Sequence, residues 1–192
     1  MPRRGNGMTK AIGRAVLRLS GWRMEGEIPN VAKAVAIVVP HTSNWDFLVA
    51  IAGLFAVGVR VSWLGKNTIF EGAGGPVMEW LGGIPIDRSA SMGVVDQIVE
   101  RFNTSDTLVI GLSPEGTRSR VDRWKTGFYA IASKAGVPIV PISFDWDTRV
   151  IRFGDPLMPS GDMDADVAEL KKFFEGAVGK RPAGMAEERE SV

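Results

Sequence analysis

The 192-residue chain is 45% hydrophobic and 23% charged, a balance that suits one folded domain with a substantial core. Its 23 Lys and Arg residues nearly cancel 22 Asp and Glu, leaving a net charge of +1 that argues against a nucleic-acid partner. The absence of cysteine excludes disulfides, thiolate catalysis and cysteine-based metal sites, and a lone histidine argues against structural zinc.

Charge is nevertheless uneven along the chain. Residues 1–23 carry Arg3, Arg4, Lys10, Arg14, Arg18 and Arg23 and no acid, whereas acids accumulate after Ser160. Within residues 10–20, Ile12, Ala15, Val16 and Leu19 recur at helical spacing, with Lys10, Arg14 and Arg18 on another face. Such a helix either lies on an anionic membrane surface or packs on the domain with a solvated basic face. Residues 1–24 are therefore read as a basic amphipathic N-terminal helix. No secretory signal is evident, and the longest apolar run, residues 47–59, is too short to span a bilayer as a helix. A cytoplasmic protein that touches a membrane without crossing it is expected.

Residues 35–39 form an apolar run ending at Pro40, which predicts a buried strand. A polar loop, 41–46, then leads into an apolar helix over 47–59 and a short strand over 61–64. Residues 71–76 read as a Gly-rich turn and 76–81 as a helical turn opened by Pro76. A strand over 84–86 and an amphipathic helix over 92–102 follow. A buried strand over 107–112 ends in the polar loop 113–120. Residues 127–135 predict a helix stopped by Gly136. Strands over 137–144 and 149–153 and a last helix over 164–178 complete the pattern. Strands alternate with helices, so the expected class is α/β, a single domain with a largely parallel sheet flanked by helices. The domain spans 25–180, and 181–192 reads as a flexible tail.

Polar motifs sit directly after the apolar strands, where open α/β sheets place their ligand crevice. In the stretch from His41 to Asp46, imidazole is suited to deprotonating a hydroxyl, and a carboxylate on its other ring nitrogen would fix the tautomer. Ser43 and Asp46 equally match a helix-capping box, and taken alone the pattern favours that plain structural reading. Downstream, GGIPIDR contains Arg88, and SPEGTRS contains Glu115, Gly116, Thr117 and Arg118; both arginines suit anionic groups, or else ion pairs within the protein. VPIVPI reads as core strand. A serine-hydrolase elbow at Ser113 is rejected, because Pro114 has no amide to donate to an oxyanion and Glu115 stands where glycine is needed. The EGAGGP turn lacks the ending of a phosphate-binding loop.

In order and spacing, HTSNWD, GGIPIDR, SPEGTRS and VPIVPI resemble the four blocks of the lysophospholipid acyltransferase family, the glycerolipid acyltransferases typified by 1-acyl-glycerol-3-phosphate acyltransferase. The likeness spans roughly residues 35–145 and turns the reading at His41 towards chemistry. It implies a glycerolipid acyltransferase-like fold and an O-acyltransferase of phospholipid biosynthesis. Such an enzyme moves a fatty acyl group from acyl-CoA or acyl-carrier protein to the free hydroxyl of a lysolipid, by default 1-acyl-glycerol-3-phosphate. It implies His41 as base with Asp46 as partner. Arg88, Glu115, Gly116, Thr117 and Arg118 would bind the acceptor, and Lys66 would be a further anion-binding residue. Lys125 and Gly127 match the short K-x-G stretch after the third block. No tightly bound cofactor and no metal are implied. Ser113 departs from the family's usual Phe. The alternatives are another lysolipid acceptor, such as a lyso-amino-acid lipid, or a non-catalytic membrane lipid-binding protein.

Overall fold

The apolar strands assemble in the computed structural model into one sheet, described over residues 1–86, 93–116 and 123–180. Seven strands take part: β1 (Arg23–Glu25), β2 (Lys33–Val39), β3 (Ser62–Lys66), β4 (Gly83–Ile86), β5 (Leu108–Leu112), β6 (Ile139–Asp145) and β7 (Val150–Phe153). Their order is β1-β7-β6-β2-β5-β3-β4. Every pairing is parallel except the β6–β7 hairpin. The expected α/β class with a largely parallel sheet therefore holds.

Parallel neighbours need long crossovers, and helices supply them. Helices α2 (Asn44–Val57), α3 (Gly75–Trp80), α4 (Val94–Thr104) and α5 (Gly127–Ala135) link successive parallel strands, while α1 (Gly7–Leu19) and α6 (Met163–Phe173) flank them. The predicted stop of α5 is present, since Gly136 takes a left-handed conformation at φ 62°.

The two faces of the sheet differ in side-chain size. On β2, Val35, Ile37 and Val39 point to one face and pack with Ile98 and Phe102 of α4, Phe128 and Ile131 of α5, and Leu170 of α6. The intervening Ala34 and Ala36 join Val109 and Val140 on the other face, under α1 and α2. Period-two alternation thus places bulk on one side and small residues on the other. The small side leaves a hollow beneath α2.

The structure moves several predicted boundaries. Helix α1 begins at Gly7 because Asn6 and Thr9 exchange capping hydrogen bonds. Helix α2 begins at Asn44, inside the predicted loop, because Ser43 and Asp46 form a capping box. The last helix ends at Phe173, short of the predicted 178. The three-residue edge strand β1 and a 3₁₀ turn at Asn67–Ile69 were not expected.

Helix α1 docks on α2 through Gly13 and Leu17, not through the Ile12, Val16 and Leu19 stripe. A Cβ at Gly13 would collide with the backbone of Ala52 and Ala56, so glycine is what allows this close approach. Leu17 joins Trp22, Ala52, Ala56 and Phe144 in a buried cluster. Met8, Ile12, Val16 and Leu19 remain outward, Leu19 at 88% exposure. Among the described residues, no helix is long and apolar enough to cross a membrane.

Candidate active site

Residues 40–43 leave the carboxyl end of β2 and turn directly into α2, which places His41 beside the first turn of that helix. Asp46 occupies the third helical position, with its side chain fully buried. Its Oδ2 accepts hydrogen bonds from the backbone amides of Thr42 (2.8 Å) and Ser43 (2.7 Å). The same oxygen lies 3.4 Å from His41 Nδ1. The two readings of the motif are therefore not alternatives, since the cap and the imidazole contact share one oxygen.

The other oxygen, Oδ1, accepts a 2.7 Å hydrogen bond from Trp146 Nε1. Trp146 lies at the β6–β7 turn, and its ring meets Trp22 edge-on at 4.9 Å. Its backbone amide donates to Val178 O (2.9 Å), which ties the turn to the segment after α6. From that segment, Lys180 sets its ammonium over the rings of Trp45 (4.1 Å) and Trp146 (4.7 Å). Both oxygens of the carboxylate are thus fixed, one by its own loop and the other by a donor 100 residues away in sequence.

Glu115, from the turn after β5, reaches the same loop. Its Oε2 accepts the backbone amide of His41 (2.7 Å) and the Ser113 hydroxyl (3.4 Å). Burial pushes the Glu115 carboxyl above its ordinary range, and the His41 amide offsets part of that rise. Gly116 closes the turn by donating its amide to Ser113 O (3.1 Å), and its missing side chain makes room for the Lys125 stem.

His41 and Asp46 open on a cavity of about 270 Å³ between α2 and the sheet. Phe47, Leu54, Trp63, Leu112 and Phe144 make it predominantly apolar. A second hollow of about 90 Å³ continues beneath α2 towards Ile28 and Met1, and it shares Val38, Ala50, Leu54, Val61, Gly111 and Phe144 with the first. The small residues Ala34, Ala36, Gly53 and Gly111 account for this space. His41 keeps 31% of its side chain exposed, and Nε2 has no protein partner among the described residues.

Of the site residues expected from sequence, His41, Asp46, Glu115 and Gly116 converge here. Lys66 ends β3 exposed and is not among the residues lining the His41 cavity. Arg88, Thr117 and Arg118 lie outside the described residues. Trp146 was missed, since nothing in a local motif points to a partner so distant in sequence. Among the described residues no group of three or more His, Asp or Glu is arranged to hold a metal ion.

The Glu115 bond gives a stability prediction. A raised carboxyl pKa means that the folded state holds the proton more tightly than the unfolded chain. Stability is lost as pH rises from the ordinary value, near 4.5, through the raised one. Glu115→Gln keeps an acceptor for the His41 amide without the charge, so wild type should lose stability relative to it across that window. Glu115→Ala leaves the amide unpaired and should cost about 1 kcal/mol at neutral pH. Thermal melts against pH check both; parallel curves for wild type and Glu115→Gln would contradict the first.

Comparison with known proteins identifies the family. A family model described as Acyltransferase matches residues 23–145, more than half of the chain. The 1-acyl-sn-glycerol-3-phosphate acyltransferase of Haemophilus influenzae is 29% identical over 192 aligned residues, covering 88% of this chain and 78% of that protein. A chloroplastic 1-acyl-sn-glycerol-3-phosphate acyltransferase, BAT2, of Brassica napus is 28% identical over 132 residues, 64% of this chain and 38% of its own length. In fold, the chain resembles the crystal structure of the 1-acyl-sn-glycerophosphate acyltransferase PlsC from Thermotoga maritima. That match has a TM-score of 0.63 at 19% identity, over 86% of this chain and 75% of that one. With the family model, the site motifs and the sheet in agreement, the chain belongs to the acyltransferase family.

Proposed function

We propose that the chain transfers a fatty acyl group from a thioester donor, acyl-CoA or acyl-carrier protein, to the free hydroxyl of a lysophospholipid. The default acceptor is 1-acyl-glycerol-3-phosphate, the substrate named for the two sequence relatives. The observation that carries the reading is the His41 Nδ1–Asp46 Oδ2 contact at the mouth of an apolar cavity.

Buried carboxylate on Nδ1 keeps the proton there and leaves Nε2 as the basic nitrogen. His41 Nε2 takes the acceptor's hydroxyl proton as the oxygen attacks the thioester carbonyl carbon. The new C–O bond forms first; the tetrahedral intermediate then expels the thiolate as the C–S bond breaks. The imidazolium returns its proton to that sulfur, so no covalent acyl-enzyme is required. The 3.4 Å separation is long for a hydrogen bond, as is common before substrate closes a site. The hollow under α2 suits the acyl chain, because an apolar chain gains by leaving water and needs no polar partner there. Arg88 and Arg118 keep the head-group role that the family motifs imply.

Membrane attachment is part of the same reading. The outward stripe Met8, Ile12, Val16 and Leu19 of α1 is joined in exposure by Trp45 and Leu48 of α2, beside His41. A cluster of exposed large apolar side chains marks a partner or a bilayer. Substrates that live in a bilayer favour the second, with residues 1–24 serving as the peripheral contact.

Two measurements test this. Purified protein should transfer acyl groups to 1-acyl-glycerol-3-phosphate, and His41→Gln should lower kcat/KM by about 10³-fold. Equal activity in both proteins, or none in either across a panel of lysolipids and donors, would reject the base assignment. Deleting α1 would expose Leu17's neighbours, so point changes are the cleaner probe of attachment. Ile12→Glu with Leu19→Glu should reduce co-sedimentation with anionic vesicles several-fold without altering the melting curve, and undiminished sedimentation would refute the attachment.

A further inference from the structure

At the opposite, amino-terminal edge of the sheet lies a separate polar pocket of about 470 Å³. It sits where β3, β4 and β5 begin, one strand length, roughly 16 Å, from the His41 edge. Arg3, Arg60 and Arg101 line it, together with the hydroxyl-bearing Ser62, Ser105 and Thr107. Glu79 is the single acid among the described lining residues. None of the three arginines enters an ion pair among the described residues.

The backbone forces this concentration of charge. Arg3 bridges Val59 in antiparallel fashion, Arg4 N donates to Gly58 O (3.0 Å), and Arg60 N donates to Pro2 O (3.0 Å). That short ribbon sets Arg3 and Arg60 on one rim, and α4 supplies Arg101 from another. Arg4 is drawn away from the pocket, over the rings of Phe55 (4.9 Å) and Trp80 (4.6 Å). Burial first, and then the nearby Arg60, lowers its pKa.

We propose that this pocket is a second anion site, distinct from the acceptor site, that binds a phosphate group through Arg3, Arg60 and Arg101. Guanidinium forks match the paired oxygens of phosphate, and forks approaching from two rims of the pocket can bracket one such group. The phosphate could reach it on a soluble molecule or on a phospholipid. The exposed Val77 and Trp80 of α3, the helix that also supplies Glu79, provide apolar surface for the second case.

The test uses the full chain, wild type and Arg60→Gln/Arg101→Gln, with Arg101→Gln alone as a milder variant. Both residues are exposed and outside the proposed catalytic machinery. Melting is followed with 10 mM inorganic phosphate, a concentration on the order of that needed to occupy a weak site, against chloride of equal ionic strength. A rise of about 3 °C is expected for wild type and less than about 1 °C for the double variant. In parallel, vesicles of phosphatidylcholine with and without phosphatidate are sedimented with each protein. A difference between proteins with inorganic phosphate points to a soluble ligand, and one confined to phosphatidate vesicles points to a lipid head group. Equal responses of all three proteins in both arms would overturn the proposal. Neither readout involves acyl transfer, so the outcome is independent of the proposed reaction.

Discussion

The Asp46 carboxylate is the constraint around which the candidate site is built. A buried carboxylate without partners would be strongly destabilising, and this one is met from three directions. The Thr42 and Ser43 amides hold Oδ2, Trp146 holds Oδ1, and His41 approaches the Oδ2 side. Because the amides belong to the residues that follow His41, fixing the carboxylate also fixes the loop. Glu115 then secures the His41 amide from the turn after β5. One helix cap thereby aligns a histidine, a tryptophan from the β6–β7 turn and a glutamate from the turn after β5.

The second constraint is steric. Strand β2 alternates valine and isoleucine on one face with alanine on the other, so the core on the α4–α6 side is dense while the α2 side retains space. That space opens at His41. The apolar walls lower the local polarity around His41 and Asp46, and in the proposed reaction they would accommodate a hydrocarbon chain. The same α1–α2 layer presents exposed apolar side chains, so the proposed lipid contacts share that layer with the helix that begins beside His41.

Much of this was readable from the chain, and the exceptions have physical causes. The alternation of apolar strands with helices identified the class, and Gly136 marked the end of α5. Ser43 and Asp46 were recognisable as a cap, but only the fold shows that capping and contact with His41 use one oxygen. The periodicity of residues 10–20 found the apolar stripe of α1 without its direction, because the docking face is Gly13 and Leu17 and a glycine carries no hydrophobic signal. Three-residue β1 has no pattern to detect. Trp146 depends on a hairpin turn meeting a helix start 100 residues away, a contact no local motif encodes. The family likeness singled out Glu115, but only the fold shows that its carboxylate accepts the His41 amide.

The central claim is that Asp46 supports His41 as a base and does more than cap α2. Its most direct test is the pH dependence of acyl transfer by Asp46→Asn, compared with wild type, with the helix monitored by far-ultraviolet circular dichroism. A wild-type rate that rises with pH to a plateau is expected, as for a reaction driven by a general base. In the variant the plateau should fall by about 10²-fold or more with the helix intact. An unchanged profile in a folded Asp46→Asn protein would reduce Asp46 to a helix cap and contradict the account.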